Sequence, residues 1–212
     1  MFGGANIALA EESGGFVGIG IGYGDAKMIF TELEINETYK ASANGASYEF
    51  VAGYKQFFNE YLGLRYYANV DLTHATFNNA NILETRNKFN TILVNYGVNV
   101  DFLGNFVVTE IADFGGFIGL GIGSNTWSGK DIKDLKNELV DGGDKVEFKN
   151  TSFDVALNVG LRTNIAKYHG LEVAVRVPFL NTRLFNVSFV DGSVKYELGQ
   201  NVRVLARYTF SF

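Results

Sequence analysis

Hydrophobic and polar residues alternate along the end of the chain. From residue 198 to 212, one set of alternate positions is mainly apolar and includes Tyr208 and Phe210, whereas the interleaved set is mainly polar and includes Arg203 and Arg207. A period of two places alternate side chains on opposite faces of a β-strand. The segment therefore predicts a strand with one apolar face and one polar, charged face.

The same alternation recurs seven more times, and polar or glycine-containing segments separate the repeats. Eight such strands predict an all-β protein, and an even number of antiparallel strands can close into an up-and-down barrel in which the last strand pairs with the first. Two of the predicted strands alternate aliphatic residues with glycine. The predicted strands are 16–23, 48–56, 61–73, 90–102, 114–123, 152–163, 170–177 and 198–212.

The connections between these strands differ in length. In outer-membrane barrels the turns on the periplasmic side are short and the extracellular loops are longer, so this asymmetry predicts an eight-stranded antiparallel transmembrane β-barrel. Within one long connection, Ile132, Leu135 and Leu139 have helical spacing, which predicts a short amphipathic helix. Short turns are predicted at 57–60 and 164–168, a medium connection at 104–113, and long loops at 25–45, 74–87, 124–150 and 179–197.

The facing of the strands does not follow from alternation alone, since a soluble lipocalin-like barrel turns its apolar face inward. The polar face here carries arginine, acids, asparagine and glycine, but Lys55 is its only lysine. Turning one Arg or Lys to lipid at mid-depth costs about 2–4 kcal/mol, against a total fold stability of roughly 5–15 kcal/mol. We therefore predict that the apolar face contacts lipid and the charges fill the lumen. The predicted lumen charge network is Glu49, Lys55, Arg65, Asp71, Asp101, Asp154, Arg162, Glu172, Arg176, Arg203 and Arg207.

The interior of an eight-stranded barrel is just wide enough to be filled by side chains. The glycine faces of strands 16–23 and 114–123 leave space into which arginines and Tyr67 from other strands are expected to lean. The charges then form a plug of buried ion pairs, and the functional alternative for the same residues is a narrow ion path.

Composition is consistent with one membrane domain and removes several other classes. The absence of cysteine excludes disulfides and thiolate metal sites. No run of 18 apolar residues exists, so no transmembrane helix is expected. A net charge of −5 without a basic cluster argues against a nucleic-acid partner. Residues 1–10 are apolar and end in Ala-Leu-Ala, which predicts a signal-peptide remnant or an N-terminal extension ahead of a barrel domain at 11–212.

Candidate catalytic chemistry is weak throughout the sequence. His74 and His169 are the two histidines, and the predicted topology places them at opposite ends of the barrel. The run at 18–22 alternates glycine as a dinucleotide loop does, but Tyr23 follows and no helix begins there. No spacing of serine, histidine and acids supports a hydrolase. We expect a non-enzymatic protein with no catalytic residue, no metal site and no cofactor.

Seven short runs, in order along the chain, carry a resemblance to a known family. They are GYKQFF at 53–58, GLRYY at 63–67, NYGVNVD at 95–101, NVGLRTN at 158–164, HGLEV at 169–173, RVP at 176–178 and YTFSF at 208–212. These runs resemble the Helicobacter outer membrane protein family of Hop and Hor type. The resemblance implies a β-barrel in the outer membrane of a Gram-negative bacterium. Some larger members carry an adhesin domain ahead of such a barrel and others are regarded as porins, but 212 residues leave no room for that domain.

The expected function is that of an integral outer-membrane barrel with a filled, charged lumen, which displays its loops for interaction. The alternatives are a small porin or narrow ion channel, and a host-cell adhesin. Expected partners are outer-membrane lipid and lipopolysaccharide, the barrel-assembly machinery through the C-terminal strand, and a host or surface ligand at the loops. Trp127 and the loop at 130–149 are candidates for a partner contact, and the alternative is a solvated loop without a partner. The predicted assembly signal is Tyr208, Phe210 and Phe212.

Overall fold

A computed structural model gives the fold and describes residues 11–32, 37–82, 86–141, 147–189 and 192–212. The predicted signal-peptide remnant, residues 1–10, lies outside the described residues. In the described part of the chain, no helix has the length and apolar character needed to cross a membrane. The elements are β1 (Gly14–Glu32), β2 (Glu37–Phe57), β3 (Leu62–Ile82), β4 (Arg86–Val108), β5 (Ala112–Ser128), α1 (Lys130–Asp141), β6 (Thr151–Ile165), β7 (His169–Pro178), β8 (Thr182–Phe189), β9 (Gly192–Gly199) and β10 (Arg203–Ser211).

Eight of these strands, β1 to β7 and β10, form a closed antiparallel ring. Each strand from β1 to β7 pairs with its sequence neighbour, β10 pairs with β7, and β10 closes the ring on β1. In the closing pair Val17 lies opposite Phe210, and Gly24 lies opposite Arg203. A closed ring leaves no free strand edge at this level. The predicted eight-stranded up-and-down barrel is confirmed.

Side chains alternate between the outer wall and the lumen along each ring strand. On the outer wall Ile19 is 63% exposed, whereas Arg65 in the lumen is 0% exposed. The apolar face is thus the outer one, as a barrel embedded in lipid requires. Short turns connect β2 to β3, β4 to β5 and β6 to β7 at one end, which the asymmetry of outer-membrane barrels identifies as the periplasmic end.

The strands are longer at the extracellular end than the sequence pattern suggested. A membrane crossing needs about 9–11 residues of tilted strand, but β4 contains 23 residues. The predicted loops at 25–45 and 74–87 are therefore wrong, because most of their residues continue β1, β2, β3 and β4. Above the bilayer the same alternate positions still point inward but carry apolar side chains, so Ala75 and Phe77 are buried while the polar Thr76 and Asn78 are exposed. This exchange of polarity between the two faces resembles a polar loop when an apolar outer face is sought.

The predicted loop at 179–197 is also wrong, because it contains a hairpin of β8 and β9. β9 pairs with β1 from Lys27 to Glu32, directly beyond the point at which β10 leaves β1. Asp25 fixes this changeover, since its Oδ1 accepts the N–H groups of Asn201 and Val202, each at 2.8 Å. The hairpin continues the wall above the barrel, and the last ring strand begins at Arg203 rather than at residue 198.

The remaining connections also differ in part from the prediction. β4 continues to Val108, so the medium connection at 104–113 shrinks to a turn at 109–111. The predicted helix forms as α1, and its Ile132 and Leu135 are buried. β5 continues to Ser128, which places Trp127 inside the wall rather than in a loop.

We call the part of the wall beyond the bilayer, formed by the upper ends of β1 to β5 with α1, β8 and β9, the extracellular extension. It encloses an apolar cluster, which we call the extracellular core. Trp127 is 1% exposed there, and its Nε1–H donates to Thr182 Oγ1 at 3.2 Å. The prediction that Trp127 contacts a partner from a loop is therefore wrong. Burial raises the pKa of Tyr196 far above its ordinary value, so its hydroxyl stays neutral. The extracellular core consists of Ala26, Met28, Ala43, Ala75, Phe77, Phe89, Leu93, Trp127, Ile132, Leu135, Leu184, Phe185, Tyr196 and Leu198.

Candidate functional site: the charged lumen

The glycines of β1 and β5 make room for the charged side chains of their neighbours. Gly20 lies between Glu49 on β2 and Arg207 on β10, and a Cβ there would lie 3.1 Å from Glu49 Oε2. A Cβ at Gly121 would lie 2.1 Å from Asn99 Oδ1 and 2.8 Å from Arg176 Nη1. Side chains from flanking strands therefore lie over the glycine strands.

Arg207 joins the last strands of the ring to the first. Its Nε and Nη2 donate to the two oxygens of Glu49 at 2.5 and 2.9 Å, and its Nη1 donates to Glu172 Oε2 at 2.8 Å. Because β1 lies between β10 and β2, the bidentate pair with Glu49 spans β1 over Gly20. Bidentate pairs of arginine and carboxylate are among the stronger hydrogen-bonded contacts in proteins. We call Arg207, Glu49, Glu172, Arg65 and Asp101 the central cluster.

Arg65 is the second cation of the central cluster. Its Nη2 donates to Asp101 at 2.7 Å and its Nη1 to Glu172 at 2.5 Å. The guanidinium carbon lies 4.6 Å from the ring centre of Phe117 and 5.0 Å from that of Tyr67. Cation–π contacts of this length add to the attraction of the carboxylates. Tyr67 leans into the lumen as predicted, but the sequence pattern did not single out Phe117.

Two further ion pairs lie toward the extracellular side, and we call them the upper cluster. Arg203 Nη2 lies 2.5 Å from Asp71 Oδ2, and Arg176 Nη2 lies 3.3 Å from Asp154 Oδ2. In the described structure Asp71 Oδ1, Asp154 Oδ1 and the Nε and Nη1 of Arg203 are buried without a hydrogen-bond partner. The upper cluster is thus less completely paired than the central one.

A residue outside every predicted strand completes the lumen at its periplasmic end. One carboxylate oxygen of Glu11 accepts a hydrogen bond from Lys55 Nζ at 2.7 Å, and the other accepts one from Arg162 Nη2. Glu11 was missed because it precedes the first alternating segment. The predicted network contains six bases and five acids, and this excess of one base was an indication that an acid partner was missing.

Hydrogen-bonded asparagines form a second feature that the charge-based reasoning missed. The amide of Asn158 donates to Asn99 at 2.9 Å, Asn99 donates to Asn69 at 2.8 Å, Asn69 donates to Asn95 at 2.9 Å, and Asn95 donates to Asn125 at 2.8 Å. The chain of amides crosses the lumen face of β3 to β6. Its signal was present in the recurrence of asparagine on the polar strand faces.

All eleven residues of the predicted network have buried side chains inside the ring. The structure brings them into the central cluster, the upper cluster, and the pair of Lys55 and Arg162 that Glu11 connects. The predicted assembly residues lie on the outer wall near the periplasmic rim, where Tyr208 OH is 2.8 Å from His169 Nδ1 and Phe212 is 71% exposed. His74 lies on the extracellular half of β3. The described residues contain no group of three histidine or acidic side chains placed to hold a metal.

Known structures share the architecture at low sequence identity. The outer membrane protein OprG from Pseudomonas aeruginosa is 13% identical, with a TM-score of 0.59 over 96% of this chain and 98% of that chain. The outer membrane protein AlkL gives 14% identity and a TM-score of 0.48 over 98% of this chain and 95% of that chain. Neisserial surface protein A gives 16% and 0.39 over 95% and 100%. OprG supports the fold alone, and the two lower scores carry no weight. No curated protein matches the chain.

A family match gives the stronger statement. Residues 49–212 match the family described as Helicobacter outer membrane protein, and this range spans β3 to β10 and part of β2. The match agrees with a closed antiparallel ring whose outer wall is apolar. The chain therefore belongs to the Helicobacter outer membrane protein family and is a β-barrel of the bacterial outer membrane.

Proposed function

We propose that this protein is a closed, non-enzymatic barrel that holds a rigid β-structure at the cell surface for interaction with other molecules. The observation that carries the proposal is the stacking of two fillings along one axis. Paired charges fill the lumen within the membrane, and the extracellular core fills the space above them. A barrel filled at both levels acts through its surfaces rather than through its interior.

The central cluster supports the closed state. Arg65, Asp101 and Glu172 are buried and connect β3, β4 and β7 across the lumen. A solute on the barrel axis would have to separate these ion pairs, and breaking a buried pair costs about 3–5 kcal/mol. Such a barrier disfavours spontaneous passage of ions.

The outer surface of the extracellular extension is the part available to a host or surface ligand. It carries polar side chains, among them Tyr39, whose hydroxyl donates to Glu37 Oε2 at 2.6 Å. This hydrogen bond to a carboxylate raises the pKa of Tyr39 above its usual range. Between β8 and residues 147–152 lies a polar groove of about 550 Å³, whose lining includes Lys149, Arg183 and Glu197. We propose this groove as the first surface to examine for a ligand.

Two other partners follow from the position in the membrane. Lipid and lipopolysaccharide would contact the apolar outer wall, where residues such as Ile21 and Leu161 are exposed. The barrel-assembly machinery would recognise the C-terminal strand through Tyr208, Phe210 and Phe212, which lie on its outer face near the rim.

A narrow ion path is the second candidate, and the upper cluster favours it. Its partnerless charged atoms on Asp71, Asp154 and Arg203 resemble groups that face water. Planar-bilayer recording separates the two functions. The closed barrel gives no steady channels, whereas steady channels whose ion selectivity shifts in Arg162→Ala would establish the pore and overturn the closed state.

A separate experiment tests the surface role. Cells that display the protein with β8 and β9 replaced by a short turn are compared with wild-type cells for binding to host tissue. Loss of binding with unchanged barrel folding supports interaction through the extension, and equal binding by both cell types would contradict it.

A further inference from the structure

The periplasmic end of the lumen is closed by residues that precede the first strand. We call Glu11, Glu12 and Ser13 the N-terminal seal. Ser13 Oγ accepts the N–H of Phe57 at 2.8 Å, and Glu12 pairs with Lys167 at the rim. None of the three residues belongs to a strand. The N-terminal seal is thus held mainly by side-chain contacts rather than by a ladder of backbone hydrogen bonds.

Glu11 is the part of the seal that enters the lumen. Its side chain is 0% exposed, and each of its carboxylate oxygens has its own cation, Lys55 on one side and Arg162 on the other. Its backbone N–H donates to Asp113 Oδ2 at 3.1 Å. The carboxylate therefore occupies a buried position between two positive charges.

The two cations are held in place by ring residues as well as by Glu11. Lys55 Nζ donates to Ser211 Oγ at 3.1 Å, and Arg162 Nη1 donates to Asn105 Oδ1 at 3.1 Å. Both partners lie on ring strands or on their ends, so they remain if the seal moves. Lys55 and Arg162 are thereby kept directed at one point in the absence of Glu11.

We propose that Lys55 and Arg162 form a binding site for a small carboxylate anion, which Glu11 occupies in the sealed barrel as a tethered ligand. A free carboxylate takes the same position when the seal withdraws. Two buried cations without an anion are strongly unfavourable, and charge-assisted hydrogen bonds from both favour a carboxylate. With Asp113 beside them, the two cations leave one net positive charge, which selects a monoanion over phosphate or sulfate.

The connection to β1 permits this exchange. The seal ends at Ser13, directly before Gly14 opens the ladder of β1 with β2, so withdrawal of the seal leaves that ladder intact. Withdrawal does not open a pore, because the central cluster lies farther along the lumen. The inference therefore goes beyond the proposed function and stands whether or not the barrel interacts through its surface.

Chemical rescue tests the site. Wild-type protein, Glu11→Ala and Glu12→Ala are refolded into phospholipid vesicles, and the temperature at which the compact gel band is lost is measured with sodium acetate or with sodium chloride at equal ionic strength. We expect acetate to raise this temperature saturably in Glu11→Ala by several degrees. Wild-type protein and the matched control Glu12→Ala should respond equally to acetate and chloride, because Glu11 still fills the site in both.

A second variant shows whether the effect comes from the two cations. In Glu11→Ala/Arg162→Gln the acetate effect should disappear. If Glu11→Ala does not fold in chloride, its refolding yield is compared in acetate, and a restored yield supports the site. Equal behaviour in acetate and chloride, or an acetate effect that survives Arg162→Gln, would overturn the proposal.

Discussion

Replacing Arg207 by methionine tests how the lumen charges contribute to the closed ring. The substitution keeps an unbranched chain but removes three hydrogen bonds of 2.5 to 2.9 Å to Glu49 and Glu172. Glu172 keeps Arg65 at 2.5 Å, whereas Glu49 loses the one cation that the described structure places within ion-pairing distance. An uncompensated buried charge of this kind costs about 3–5 kcal/mol. We therefore expect Arg207→Met to lower the free energy of unfolding by that amount.

The measurement is urea-induced unfolding of the protein in phospholipid vesicles, followed by loss of the compact band on a gel. The matched control is Lys149→Met, because Lys149 and Glu147 form an ion pair of 2.8 Å with side chains 64% and 79% exposed. An exposed pair of this kind contributes about 0–1 kcal/mol. The two methionine variants should thus differ by several-fold in their effect on stability.

A double-mutant cycle identifies the source of the loss. Glu49→Gln removes the charge that Arg207→Met leaves unpaired, so the double variant should be more stable than the sum of the two single losses predicts. Contacting residues of this type couple by about 0.5–3 kcal/mol. Additive losses, or a cost for Arg207→Met no larger than that of Lys149→Met, would refute the expectation that the ion pair of Arg207 and Glu49 stabilises the closed ring.

Three other experiments test separate parts of the structure. Gly121→Ala should destabilise the barrel by about 1–3 kcal/mol through overpacking, whereas Gly104→Ala, which meets no atom within 4 Å, should be neutral or slightly stabilising in the same urea assay. Trp127 is the only tryptophan, so blue-shifted emission with weak acrylamide quenching is expected from the extracellular core, and a solvent-like spectrum would contradict its burial. Deletion of Phe212, whose N–H donates to Gly15 O at 2.9 Å, should slow insertion into vesicles, and an unchanged time course of the compact band would argue against its role in assembly.

The membrane-spanning part of this fold was predictable because one physical rule governs it. Within the bilayer every outward side chain meets lipid, so period-two alternation together with the cost of turning a charge to lipid gives the facing of residues such as Ile19 and Arg207. The extracellular extension was not predictable in the same way. There Phe77 points inward and Asn78 outward. Small, polar and aromatic residues are mixed in this region, so polarity alone does not indicate which face points inward. The hairpin of β8 and β9 was missed for this reason.

The lumen was predictable residue by residue but not contact by contact. Alternation put Arg65 and Glu172 on the same face of their strands, but which acid each base meets depends on the stagger between strands. The lumen position of Glu11 could not be predicted from alternation, because it depends on where the chain enters the ring. The inward Phe117 was overlooked because glycine dominates the face on which it lies.

The reversal of polarity on the outer face along β1 to β4 has a consequence for how the protein sits in its membrane. Below the reversal the outer wall requires hydrocarbon, and above it the wall requires water, so vertical sliding in either direction exposes the wrong surface. Mismatch between an apolar belt and the local hydrocarbon thickness carries a modest cost for each ångström. The boundary between the apolar and polar parts of the wall thus fixes the depth of the barrel in the bilayer, and with it the height of the groove beside β8 above the lipid headgroups.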